Sequence, residues 1–148
     1  MTPIVGRLWA LDFGLWAWPY PCVHAHTEMS REPRKLRVFN LADDLVLSVY
    51  RATRSFPSEE RFGLQSQLRR AAVSTATNIV EGCARRTTME YIHFLNVATG
   101  SSAEARYLID VAFRLALLPS SVQEPLNERY TEVMKGLQKL VNTMDGRP

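Results

Sequence analysis

Cysteine is scarce in this chain, and the two it has, Cys22 and Cys83, lie far apart in unlike contexts. A disulfide framework in a short secreted chain shows a closely spaced even set. The pattern here instead reads as a reduced, cytoplasmic protein with one buried thiol. Histidine offers no metal-ligand spacing, because His24 and His26 sit in an irregular stretch and His93 stands alone. No window reaches the roughly 18 consecutive apolar residues of a membrane-spanning helix. No glycine-rich phosphate-cradling loop occurs, and no alternating apolar–polar run of useful length announces a strand. Charge of one sign is not in large excess either. The chain carries 18 basic and 15 acidic residues, a net +3, which permits nucleic-acid binding without arguing for it.

What is present is one domain's worth of chain, 148 residues with 46% hydrophobic and 22% charged, enough to bury a single core. Fifteen of the 18 basic residues are Arg, which favours bidentate contacts to carboxylate and phosphate. Residues 1–28 differ in kind from the rest, holding all three Trp and two of the three His. Asp12 interrupts their apolar run and no small-residue cleavage site follows, which argues against a signal peptide. The segment reads as an irregular or disordered extension or an over-extended start, with Met29 as the expected beginning; an apolar arm docking on the remainder is the other reading. The domain is then 29–148, with 17 basic and 13 acidic side chains, or +4.

Four long amphipathic helices are predicted. The first runs from about Leu36 to Thr53, with Leu41, Leu45, Val49 and Ala52 in one stripe, and Pro57 ends it. Glu59 and Glu60 open the second helix, where its dipole favours negative charge, and Gly82 is read as its terminator. Thr87 and Glu90 form a capping box for the third. Its seam is Tyr91, Phe94, Ala98, Ser101, Ala105, Leu108, Ala112 and Leu115. Ser121 and Glu124 form a second box for the fourth, which tolerates Pro125 in its first turn and lines up Leu126, Tyr130, Val133, Leu137, Leu140 and Met144. Short loops between such helices imply an all-α, antiparallel up-down-up-down four-helix bundle. Small residues at Thr99–Ala103 and at Ala71–Thr77 predict a close crossing of the second and third helices.

The second helix carries two opposed stripes. Leu68, Ala72, Thr75, Ala76, Ile79 and Cys83 share one face, and Arg70, Ser74, Asn78, Glu81 and Arg85 the other. The polar stripe has two readings. It grips RNA phosphates or a partner, with Arg70 as anchor, or it is an internal network in which Arg70 pairs with Glu81 or with Glu104 near Ser101; the second is preferred. Arg85 and Arg86 form a basic turn between the second and third helices that either clamps phosphate or is simply solvated, and Arg69 is a further basic candidate for binding. Arg34, Lys35 and Arg37, behind Arg31, read as a flexible nucleic-acid arm or a solubilising lead-in. Catalysis finds little support. No strained turn presents Ser74, Ser101 or Ser102 to His93, and the single Glu90–His93 step lacks the second copy a di-metal bundle needs. The expectation is a protein without enzymatic activity, cofactor or metal.

FPSEERFGLQSQLRRAAVSTATNIVEGCARR, followed by EYIHFLNVATGSSAEA, resembles the bacterial four-helix-bundle family named after the protein encoded in intervening sequences of 23S ribosomal RNA genes. It is also similar to the related accessory variability proteins of diversity-generating retroelements. The resemblance covers roughly Leu36 to Asp145 and departs from the family pattern at Thr75–Thr77 and at Cys83. It implies a ring-like homo-oligomer, a pentamer, associated with RNA or with a nucleic-acid enzyme, and RNA or DNA is the expected nucleic-acid partner. The alternative function is a protein-interaction scaffold docked on a reverse transcriptase or another nucleic-acid enzyme, with the polar stripe serving bundle or ring assembly.

Overall fold

The structure, a computed structural model, describes residues 31–146. The expectations placed on residues 1–28 lie outside the described residues. Four helices make up the fold: α1 (Arg37–Ala52), α2 (Leu64–Cys83), α3 (Thr88–Arg114) and α4 (Ser120–Asp145), with no strand among the described residues. Short 3₁₀ turns at Pro33–Lys35, Thr53–Ser55 and Ser58–Glu60 complete it. Helix α1 packs on α2 and α4, and α3 likewise packs on α2 and α4, so the four close around one core. Leu45, Leu68, Ile79, Leu95, Ile109 and Leu137, drawn from all four helices, are fully buried. Each such side chain contributes about 2 kcal/mol of burial free energy.

The helix ends follow local chemistry, with three departures from expectation. Phe56 is extended and buried ahead of Pro57, as steric conflict with the proline ring requires. Glu59 and Glu60, expected in the first turn of α2, instead form their own 3₁₀ turn. From there the Glu60 carboxylate reaches back to accept the Leu64 N–H at 3.0 Å, capping α2 from outside. Gly63 makes room for it, since a Cβ there would stand 2.9 Å from Glu60 Oε2.

The Thr87 box forms: its hydroxyl accepts the Glu90 N–H at 3.2 Å and donates to the Glu90 carboxylate at 2.7 Å. That hydrogen bond holds the Glu90 carboxyl below its ordinary range. The Ser121 box does not form. Helix α4 begins two residues earlier than that box requires, at Ser120 behind Pro119, which places Ser121 inside the helix and Pro125 in the second turn. Gly82 is not a terminator. It lies in the last turn of α2, where a Cβ would meet Phe94 Cβ and Tyr91 Cδ2 at 3.1 Å, so it serves close helix packing.

The apolar face expected of α2 is buried throughout, from Leu68 to Cys83. On α3 the seam is set differently. Leu95 and Ile109 fill the core, while Phe94 and Leu108 are only partly buried and Leu115 is exposed. On α4 it is Val141, not Met144, that closes the seam. At Phe94/Leu95, Leu108/Ile109 and Leu140/Val141 two neighbouring apolar residues compete, and helix rotation selects the second of each pair.

Helices α2 and α3 come together through hydroxyl groups. Ser74 Oγ and Ser101 Oγ are 2.8 Å apart, and Ser102 Oγ donates to Thr75 Oγ1 at 3.4 Å. Ser102 and Thr75 also donate to the carbonyls of Ala98 and Ala71 one turn back on their own helices. Ala71, Ala72, Ala98 and Ala105 complete this small-residue seam. Gly100 takes no part in it, for nothing lies within 4 Å of the position its Cβ would occupy. Two substitutions separate these positions. Ser102→Leu should lower unfolding stability by about 1–3 kcal/mol through overpacking. Gly100→Ala should raise it by about 0.5–1 kcal/mol, since the methyl meets nothing and helix propensity improves. Denaturant midpoints of the two variants check both.

Candidate nucleic-acid interface

A groove of about 600 Å³ runs between the C-terminal turn of α1 and the first half of α2. Its walls carry Tyr50, Arg61, Phe62, Arg69, Arg70 and Ser74, and no carboxylate of the described residues lines it. The closest acidic group in sequence with a defined partner, Glu60, spends its carboxylate on the Leu64 N–H. None of the three arginines forms an ion pair among the described residues, although Glu59 and Glu60 directly precede Arg61 in the chain.

The groove is built by the joint between α1 and α2. Thr53, fully buried at the end of α1, donates its hydroxyl to the Val49 carbonyl at 2.9 Å and accepts the Arg69 Nε at 2.8 Å. Gln65 donates to the Thr53 carbonyl. The Arg69 guanidinium carbon then lies 4.7 Å from the centre of the Tyr50 ring, a cation–π arrangement that fixes a planar charged group on a rigid platform. Arg61 lies 5.6 Å from the centre of the Phe62 ring. Phe62 itself is 87% exposed, the most exposed large apolar side chain among the described residues. Preset guanidinium groups beside an open aromatic face suit phosphates and nucleobases together.

The other expected residues fall elsewhere. Arg70, the preferred anchor of an internal network, is exposed and bonds to neither Glu81 nor Glu104; it belongs to the groove wall. The internal network is smaller than expected and uncharged. Asn78 Nδ2 donates to the Ser74 carbonyl at 2.7 Å and to Ser74 Oγ at 3.0 Å, and Ser74 meets Ser101. Glu81 is taken by Arg85 at 3.6 Å one turn along, and Glu104 is exposed on the outside of α3. The physical reason is geometric: Arg70 projects beside the α2–α3 crossing, where water solvates it at no cost, and burial would have required a paired carboxylate.

Arg85 and Arg86 lie at the far end of α2. Arg85 is half-buried, with its guanidinium 4.5 Å from the centre of the Phe94 ring, while Arg86 is exposed. Sixteen residues separate Arg69 from Arg85, about 24 Å along the helix axis. One site therefore does not contain both. Arg34, Lys35 and Arg37 are exposed at the same end as Arg85. They are not a flexible arm, because the turn Pro33–Lys35 is capped by Glu32 and packs on α2 with Pro33 buried. The Arg31 N–H donates to the Cys83 carbonyl at 3.3 Å, and its guanidinium covers the Tyr91 ring. Burial pushes the Cys83 thiol up, which keeps it protonated at neutral pH.

Among the described residues no group of His, Cys, Asp and Glu could hold a metal ion. Ser74 and Ser101 are bonded to each other and not to His93, whose ring meets Phe94 edge-on at 5.5 Å. No described helix is long and apolar enough to cross a membrane. Sequence reasoning passed over Tyr50, Arg61 and Phe62. Tyr50 lies off the apolar stripe of α1, and Arg61–Phe62 sit in the turn before α2; an aromatic off-stripe and an aromatic beside Arg in a turn were the available signals.

The model of the 23S rRNA-intervening sequence protein family matches residues 34–139. Among solved structures the chain is similar to a crystal structure from Bacteroides thetaiotaomicron VPI-5482, described as a protein with unknown function from the S23 ribosomal protein family. The TM-score is 0.64 at 20% identity, covering 70% of this chain and 97% of that one. At that identity the likeness shows the fold. No curated protein matches the chain.

The Thr53 joint is testable. Thr53→Val removes both hydroxyl bonds and should lower stability by about 1–2 kcal/mol, whereas Thr53→Ser keeps them and should recover most of the loss. Chemical unfolding of the two variants measures the difference.

Proposed function

Because the chain belongs to the 23S rRNA-intervening sequence protein family, we propose that it is a self-associating accessory protein that binds RNA and performs no chemistry of its own. The observation that carries this reading is the groove at Arg61, Arg69 and Arg70, three guanidinium groups that form no ion pair among the described residues, with Arg69 against the Tyr50 ring and Arg61 against the Phe62 ring. An antiparallel up-down-up-down bundle is part of the reading. It is supported by contacts that run in opposite numerical order on neighbouring helices, such as Ser74 with Ser101 and Gly82 with Tyr91.

Self-association supplies what one chain lacks in charge. Five copies of residues 29–148 would carry about +20, enough for strong salt-dependent attraction to phosphate. The face of α3 offers a surface for it. Gly100 is exposed in mid-helix with no intramolecular reason for lacking a side chain, and Val97 and Tyr107 are exposed one and two turns away. The same exposed apolar side chains favour a second reading, a scaffold docked on a nucleic-acid enzyme such as a reverse transcriptase. Co-purification that survives nuclease treatment separates the two. A cytoplasmic location accompanies both.

Binding to RNA should weaken linearly in log affinity against log salt. The double variant Arg61→Gln/Arg70→Gln, which spares Arg69 and its Thr53 anchor, should flatten that slope by about 1.5. Arg85→Gln should change it less, because Glu81 already offsets that charge. Equal slopes for wild type and the double variant would remove the groove from the interface. Light scattering should give a particle of about five times the 16.8 kDa chain. Gly100→Trp should reduce that mass without unfolding the chain; an unchanged mass would place the subunit contact elsewhere.

A further inference from the structure

We infer that the groove selects unpaired RNA, with one nucleobase stacked on the open ring of Phe62 and the flanking phosphates held by Arg61, Arg69 and Arg70. This rests on the nucleic-acid reading above and narrows it. Phe62 is 87% exposed, so folding gains almost nothing from its ring. A lone exposed apolar residue needs no explanation, but this one borders a groove that also holds the half-exposed Tyr50 and three arginines that form no ion pair among the described residues. Its position is fixed on both sides. The 3₁₀ turn Ser58–Glu60 precedes it, and the Glu60 carboxylate locks the start of α2 two residues after it.

An exposed ring on a fixed stretch of backbone offers a stacking surface, and every base presents a matching face. An A-form duplex presents none along its length, since its bases are stacked on one another and only phosphates and 2′-hydroxyls face outward. Duplex RNA would thus engage the arginines alone. An acidic peptide is the competing occupant. It would satisfy the arginines but has no feature that calls for a planar partner at Phe62. Glu59, exposed beside Arg61, adds local repulsion to either anion and does not distinguish them.

The experiment uses the full chain, a 15-nucleotide oligouridine and a 15-base-pair blunt RNA duplex, compared by fluorescence anisotropy at matched salt. Wild type should bind the oligouridine at least tenfold more tightly than the duplex. Phe62→Ala should remove that preference, weakening the oligouridine about tenfold or more while leaving duplex affinity and salt slope unchanged. Phe62→Trp should restore it. Because the side chain is exposed, the melting temperature of Phe62→Ala should match wild type, which excludes misfolding as the cause. Equal affinity for the two RNAs, or an oligouridine affinity indifferent to Phe62→Ala, overturns the inference while leaving RNA binding intact. A fall in particle mass on Phe62→Ala also overturns it, because the ring would then be a subunit contact. Failure to bind either RNA would instead remove the broader reading.

Discussion

The close approach of α2 and α3 is the constraint on which the rest of the molecule depends. Two helices can come this near only where side chains are small, and small polar side chains buried between them must find partners or leave unsatisfied groups. Ser74, Ser101, Thr75 and Ser102 solve this mutually, each bonding across the crossing, while Thr75, Ser101 and Ser102 also bond back to their own helix. At the far end the same closeness demands Gly82 under Tyr91 and Phe94. Once α2 is seated so tightly on α3, its rotation about its own axis is set. The positions of Arg69 and Arg70 on its other flank are set with it.

The groove then arises from the second joint of α2, the one it makes with the end of α1. Thr53 is the pivot, because its one hydroxyl both closes the last turn of α1 and receives Arg69. An arginine that would otherwise wave in solvent is thereby held against Tyr50, and holding it in advance reduces the entropy lost when an anion binds. The opposite end of the bundle shows the contrasting case. Arg85 has a carboxylate and a ring of its own, and the Pro33–Lys35 turn is tied down over Cys83. Basic residues similar in sequence thus differ in how much charge they leave to a ligand.

Much of the fold was legible in the chain, and the failures share one cause. The apolar face of α2 was readable because its helix has a single continuous stripe of small and apolar residues with polar neighbours on both sides. The α3 seam was misread by one residue at Phe94 and Leu108 because Leu95 and Ile109 stand next to them and periodicity accepts either. The Ser121 box failed for a related reason. Several positions around Pro119 satisfy the local pattern, and the chain entered the helix at Ser120. The anchoring of the site was less legible than the fold. Arg69 and Arg70 stood out as basic residues, but Tyr50, Arg61 and Phe62 come from separate segments, and nothing local announces that they meet.

What the chain alone determined is the class of the molecule: four amphipathic helices, their approximate limits, and the small-residue crossing of two of them. These follow from periodicity, caps and side-chain volume, which act within a few turns. Tertiary structure decided which of two adjacent apolar residues enters the core, which arginines keep their charge free, and which aromatic ring is left open. Those outcomes depend on helix rotation and on partners such as Thr53, sixteen residues from Arg69, which reaches its arginine only in the folded chain. A charge is available to a ligand only if the fold has not already neutralised it, and that is a property of distance, not of order along the chain.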